Sequence, residues 1–178
     1  MIDPAIGTLL AAAFALLFAS AAFHKVRDLA VFAAVVRAYR ILPAGLELSW
    51  VLPVLELGVA IGLLLPLGRN RAAPLGAVLL VVYALAMAVN LQRGRRELSC
   101  GCGAPQERRP IARWMVLRNL LFAAVLGSLA LPWSPRPLQP VDFLTVGMGL
   151  AVATLLYMST DRLLGRLAPR VALWEGIQ

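Results

Sequence analysis

Apolar positions run almost unbroken through five stretches of the chain, each about the 20 residues that a helix needs to cross a bilayer core. They are residues 4–23, 48–67, 72–92, 111–131 and 141–160. The first carries no charge, the second carries only Glu56, and the third carries none and has Asn90 near its end. The fourth follows Pro110 and holds Arg113 and Arg118 in its first turns; the fifth holds only Asp142, at its start. No water is available in hydrocarbon to satisfy backbone N–H and C=O groups, so each stretch is predicted to be a helix. Asp3 is placed to cap the first, with Pro4 at its first position.

A sixth segment, residues 28–42, is too short to cross. Leu29, Phe32, Val36 and Tyr39 recur in it at helical spacing, which predicts an interfacial helix. The pattern therefore predicts an all-α integral membrane protein: residues 1–178 as one bundle of about five transmembrane helices plus that short helix. No internal repeat or low-complexity tract interrupts it.

Composition agrees. Of 178 residues, 61% are hydrophobic and 15% charged, where a soluble domain has roughly 45–50% and about 25%. The net charge of +8 does not indicate nucleic acid, because the basic residues sit between apolar stretches and form no basic face interleaved with aromatics. They set direction instead. One set of loops holds Arg69, Arg71 and Arg136, and the other holds the remaining 14 Lys and Arg. Basic residues stay on the cytoplasmic side, which predicts a membrane protein with its N-terminus outside and its C-terminus in the cytoplasm. The small residues of "FASAAF" resemble a cleavage site, but Met1-Ile2-Asp3 lacks the basic start of a signal peptide. An uncleaved first span is expected.

Polar residues inside the spans are the candidates for chemistry. Glu56, ninth in its predicted span, should lie near mid-membrane, facing the bundle interior. It is expected either to pair with Arg118, His24 or Lys25 or to handle protons. His24 and Lys25, closing the first span, are expected to snorkel to the interface. Asn90 and Asn119 are expected to bond between helices, Pro53 to kink the helix before Glu56, and Trp50, Trp114 and Trp133 to anchor span ends.

Both cysteines fall in the loop 94–110, as Cys100-Gly101-Cys102, among Arg95, Arg96, Arg108 and Arg109. Thiols at i and i+2 approach disulfide distance only where the chain bends, and Gly101 permits the bend. A small strained ring is easily reduced, and flanking arginines favour the attacking thiolate. This points to a candidate thiol–disulfide oxidoreductase with Cys100 and Cys102 as the redox pair. A closed zinc site needs four ligands, and the chain offers two thiols and a distant His24; no metal site is predicted. Two thiolates could also hold a soft ion such as Cu(I), so a non-catalytic scaffold or copper-type carrier is the competing reading.

The order of "AAFHKVRDLAVFAAVVRAYRILP", "LPVLELGVAIGLLL", "NLQRGRRELSCGCG" and "VLRNLLF" resembles the MauE family of methylamine-utilisation membrane proteins, related to DoxX, over roughly residues 6–131. The family commonly reads Cys-Gly-Cys-Phe-Gly, whereas Gly103-Ala104-Pro105 follows here. The resemblance implies help in maturing a periplasmic client, methylamine dehydrogenase, whose small subunit carries many disulfides. It also implies a thioredoxin-like partner of the MauD type. The charge count puts the thiols on the reducing side of the membrane while the client lies on the other, so either electrons cross through a membrane quinone or a partner, or the pair sits deep enough to be reached from outside.

Overall fold

The computed structural model describes residues 3–41, 49–98, 110–134 and 136–175, with side chains as far as residue 164. Within them the chain is all α-helical, with six helices: α1 (Pro4–Arg27), α2 (Leu29–Tyr39), α3 (Val51–Leu64), α4 (Arg69–Gln92), α5 (Arg113–Ser128) and α6 (Pro140–Glu175). Three are long and apolar enough to cross a membrane: α1, α4 and Pro140–Leu164 of α6.

The other two predicted spans form helices shorter than predicted, 14 residues in α3 and 16 in α5. These reach about 21 and 24 Å at 1.5 Å per residue, against a hydrocarbon core of about 30 Å. Proline sets the limits. Leu65, just before Pro66, is extended and ends α3, as a residue preceding proline prefers. Ala112, two residues after Pro110, is extended and delays α5. Pro53 does not kink α3, because it is the helix's third residue, where an amide N–H has no partner in the helix. The short predicted helix is present as α2, capped by Asp28, whose carboxylate accepts from Val31 N–H at 3.2 Å. Phe32 and Tyr39 are its buried residues.

Helix α1 packs against α3 and α6, α3 against α4, and α4 against α5. The buried stripes are rich in small residues: Ala11, Ala15 and Ala22 on α1, Ala60 on α3, Ala72, Ala73, Gly76 and Ala84 on α4, and Ala123 on α5. Leu55, Leu57, Ile61 and Leu64 of α3 lie outside. Lipid is as apolar as leucine, so helices gain from close backbone approach, which small residues allow. At Gly76 an added Cβ would sit 2.7 Å from Leu126, 2.9 Å from Val59 and 3.1 Å from Phe18. Helices α1, α3, α4 and α5 converge there.

The bundle alternates in direction, so it has two distinct ends. At one, Arg136 clamps two carboxylates: it donates to Asp3 at 3.0 Å through both Nε and Nη2, and to Asp142 at 2.7 and 3.1 Å. This ties the start of α1 to the start of α6. Asp3 also caps α1, accepting from Ala5 N–H at 2.9 Å, as expected. Trp133 packs within the bundle at this end. Its ring covers Gly7, where a Cβ would meet it at 2.6 Å, and stacks under Arg69 at 4.2 Å.

Hydrogen bonds from Arg136, then from Ala5 N–H, hold the Asp3 carboxyl below its ordinary value. A depressed native pKa means that Asp3 contributes stability above its unfolded value, and that this contribution is lost as pH falls through the lower native value. Thermal unfolding in detergent from about pH 7 down to about pH 3 should show this acid-limb loss. Arg136→Ala should be less stable at neutral pH and show a flatter acid limb. An unchanged acid limb would remove Asp3 as its source.

Candidate functional site

At the opposite end of the bundle, the buried stripes of α1 and α3 finish in charge. On α1 the stripe Ala11, Phe14, Ala15, Phe18, Ala22 continues to Lys25; on α3 Glu56 follows the buried Pro53 in a stripe that continues through Val59, Ala60 and Leu63. The two charges meet: Lys25 Nζ donates to Glu56 Oε1, and both side chains are almost fully buried. Lys25 does not snorkel. It points inward, with its ammonium 5.3 Å from the Phe32 ring centre and 5.1 Å from that of Tyr83. Such ring faces attract a desolvated cation. Tyr83 also donates its hydroxyl to Glu56 Oε1 at 2.8 Å, so three helices meet on one carboxylate oxygen. Glu56 faces the interior as expected, the sixth of the 14 residues of α3 and about 7–8 Å past its start.

A second polar group faces it from α5. Arg118 pairs with Asp161 of α6 at 2.9 Å and lies against the rings of Trp114 and Tyr157. Asn119 beside it is buried, and its Nδ2 has no hydrogen-bond partner. It does not make the expected bond between helices. Nor does Asn90, whose Nδ2 donates to Ala86 O in its own helix at 3.0 Å while its Oδ1 accepts from Arg95 at 3.2 Å. Glu56 Oε2 and Arg118 Nε are likewise buried without partners. A cavity of about 50 Å³ lies between these groups, lined by Glu56, Tyr83, Arg118, Asn119, Phe122 and Tyr157 among others.

Cys100, Gly101 and Cys102 lie outside the described residues, but both bases of their loop are described. Ile111 N–H donates to Leu98 O at 2.9 Å, which brings the two ends of the loop together. Beneath them a second apolar cluster joins Tyr39 of α2, Met87 of α4, Met115 of α5 and Ile111 just before α5. Arg93 donates to Arg40 O at 3.3 Å, fastening the end of α2 to the end of α4. The cysteine loop thus springs from the end of the bundle that holds Lys25, Glu56 and Arg118. Among the described residues, no group of three His, Cys, Asp or Glu side chains comes together.

Sequence reading missed Tyr83 and Asp161. Tyr83 was visible as the one aromatic residue in a 24-residue helix. Asp161 fell one residue beyond the predicted fifth span, where α6 continues without a break.

Comparison with known proteins gives the group a context. The family model for methylamine utilisation protein MauE matches residues 3–134, which take in α1 to α5 and most of the turn toward α6. The chain is 37% identical to a MauE protein of Paracoccus denitrificans over 177 residues, covering 97% of this chain and 94% of the relative. It is 41% identical to one of Paracoccus versutus over 166 residues, covering 92% and 89%. A third, from Methylorubrum extorquens, is 37% identical over 169 residues, covering 93% and 90%. No solved structure matches. A family model spanning most of the chain, with relatives matched nearly end to end, shows that this membrane-helix protein belongs to the MauE family, involved in methylamine utilisation.

Proposed function

We propose that the chain is a thiol–disulfide oxidoreductase of the bacterial inner membrane. In this reading Cys100 and Cys102 exchange electrons with a thioredoxin-like protein of the MauD type during maturation of a periplasmic client such as methylamine dehydrogenase. The observation that carries the reading is the closed base of the cysteine loop, Leu98 to Ile111, standing on the bundle end that buries Lys25 and Glu56 and holds the half-buried Arg118. A thiol pair gains or loses protons with its electrons, and the loop that carries this one begins and ends at the bundle end where these ionisable groups lie.

The exchange balances within the two proteins. A thiolate of the reduced partner attacks one sulfur of the Cys100–Cys102 disulfide, and that S–S bond breaks as the mixed disulfide forms. The partner's second thiolate then attacks its own sulfur in the mixed disulfide. The partner leaves as a disulfide, and this chain retains two thiols. Only an exchanger passes through that covalent intermediate; a scaffold or a copper-type carrier does not.

Two measurements test this. Cys100→Ser and Cys102→Ser, each expressed with the partner, should differ, one of them accumulating a covalent complex that dithiothreitol dissolves. If neither does, the carrier reading replaces the exchanger. A reporter fused after Gln178 should be active on the cytoplasmic side, since 14 of the 17 Lys and Arg lie on that side of the predicted topology. A periplasmic signal would reverse the topology.

A further inference from the structure

The cavity beside Glu56 has a chemistry of its own. Three of its lining residues present buried polar atoms without partners: the donors Arg118 Nε and Asn119 Nδ2, and the acceptor Glu56 Oε2. Glu56 is 1% exposed and Asn119 3%. In hydrocarbon each unsatisfied group is costly, so three around one cavity mark a place where something else supplies their bonds.

The position of the mouth narrows what that is. The exposed lining residues are Ser20 of α1 and Tyr157 of α6. Ser20 lies seven residues before the end of α1, about 10 Å along the helix, and so at hydrocarbon depth. Leu17, Leu80 and Phe122 give the cavity apolar and aromatic walls. A ligand entering here comes from the lipid phase, carries a flat apolar body and ends in an oxygen that can both accept and donate hydrogen bonds.

We propose that this cavity binds the ring of a lipid-soluble quinone, with Arg118 and Asn119 donating to a carbonyl oxygen and Glu56 accepting from the hydroxyl of the reduced form. The space of about 50 Å³ takes the leading edge of a ring and leaves the remainder in the mouth between Ser20 and Tyr157. Both redox forms are thereby matched, the quinone by donors and the quinol by the carboxylate. The inference deepens the oxidoreductase reading and rests on it for its purpose. A bound quinone supplies an acceptor for two electrons and two protons, which is what the Cys100 and Cys102 thiols release on forming their disulfide. Protein groups do the rest: Arg118 is held by Asp161, and Glu56 by Lys25 and Tyr83.

The test is photolabelling of the purified full chain in phosphatidylcholine nanodiscs with an azido-quinone, with decylubiquinone as competitor and peptide mapping of the label. Saturable labelling near Ser20 or Phe122, competed by decylubiquinone, is expected. Asn119→Leu removes a group that has no protein partner and should leave folding intact while weakening competition about tenfold, as for one lost hydrogen bond to a buried donor. Ala21→Phe, filling the cavity from α1, should weaken it at least as much. Unsaturable labelling, or labelling unchanged in both folded variants, overturns the site and leaves the cavity to water. Labelling that persists when both cysteines are serine supports it. If that same double variant still exchanged electrons at the normal rate, the oxidoreductase reading would fail while the quinone site stood.

Discussion

Lys25→Met should destabilise the bundle by about 3–5 kcal/mol, the cost of leaving one member of a buried ion pair without its counter-charge. Glu56 is 1% exposed, and Tyr83 supplies it with a single hydroxyl donor. With the ammonium gone, the carboxylate must either remain charged in a low-dielectric interior or take up a proton, and both lower stability. The double variant Lys25→Met, Glu56→Leu should recover most of the loss, because paired buried charges are often replaced by apolar residues at little net cost. Thermal unfolding of the three proteins in one detergent checks this. A single variant as stable as the parent would show that the pair is not buried in the membrane. The double variant also separates two roles for Glu56: if it folds and its thiols still exchange at the parent rate, the pair serves the fold alone; if exchange collapses, Glu56 handles protons.

Replacing both Cys100 and Cys102 by serine should reduce partner thiol oxidation to background, measured as loss of free thiol in the thioredoxin-like protein. Sulfurs one residue apart close a ring without large backbone movement, provided the intervening residue bends freely, and the strain of that ring keeps the disulfide easily reduced. Gly101→Val should therefore slow exchange while the bundle stays folded, because a β-branched residue resists the bend. The loop stands on the Leu98–Ile111 bond and the cluster around Met87 and Met115, so the substitution should not spread into the helices. Full activity in the double serine variant would end the redox reading and leave the scaffold in its place.

Reading the chain alone determined the class of fold and the place of most helices, because both follow from quantities local in sequence. The length of an apolar stretch is set by bilayer thickness, and a proline or a capping aspartate acts on its own backbone. Hence a first helix beginning at Pro4, the cap at Asp3 and the short helix after Asp28 were legible from residue order, though the first helix runs four residues past the expected end at residue 23. Which polar groups face one another was not, because pairing depends on how far each helix is rotated and displaced against its neighbours. Lys25 reads as a span-end cation until α1 runs on to Arg27 and turns it inward onto Glu56. Tyr83 and Asp161 carry no local signal tying them to residues 27 and 43 positions away. The cavity, with its unpaired donors and acceptor, exists only where α1, α3, α4, α5 and α6 converge, and tertiary packing alone decided it.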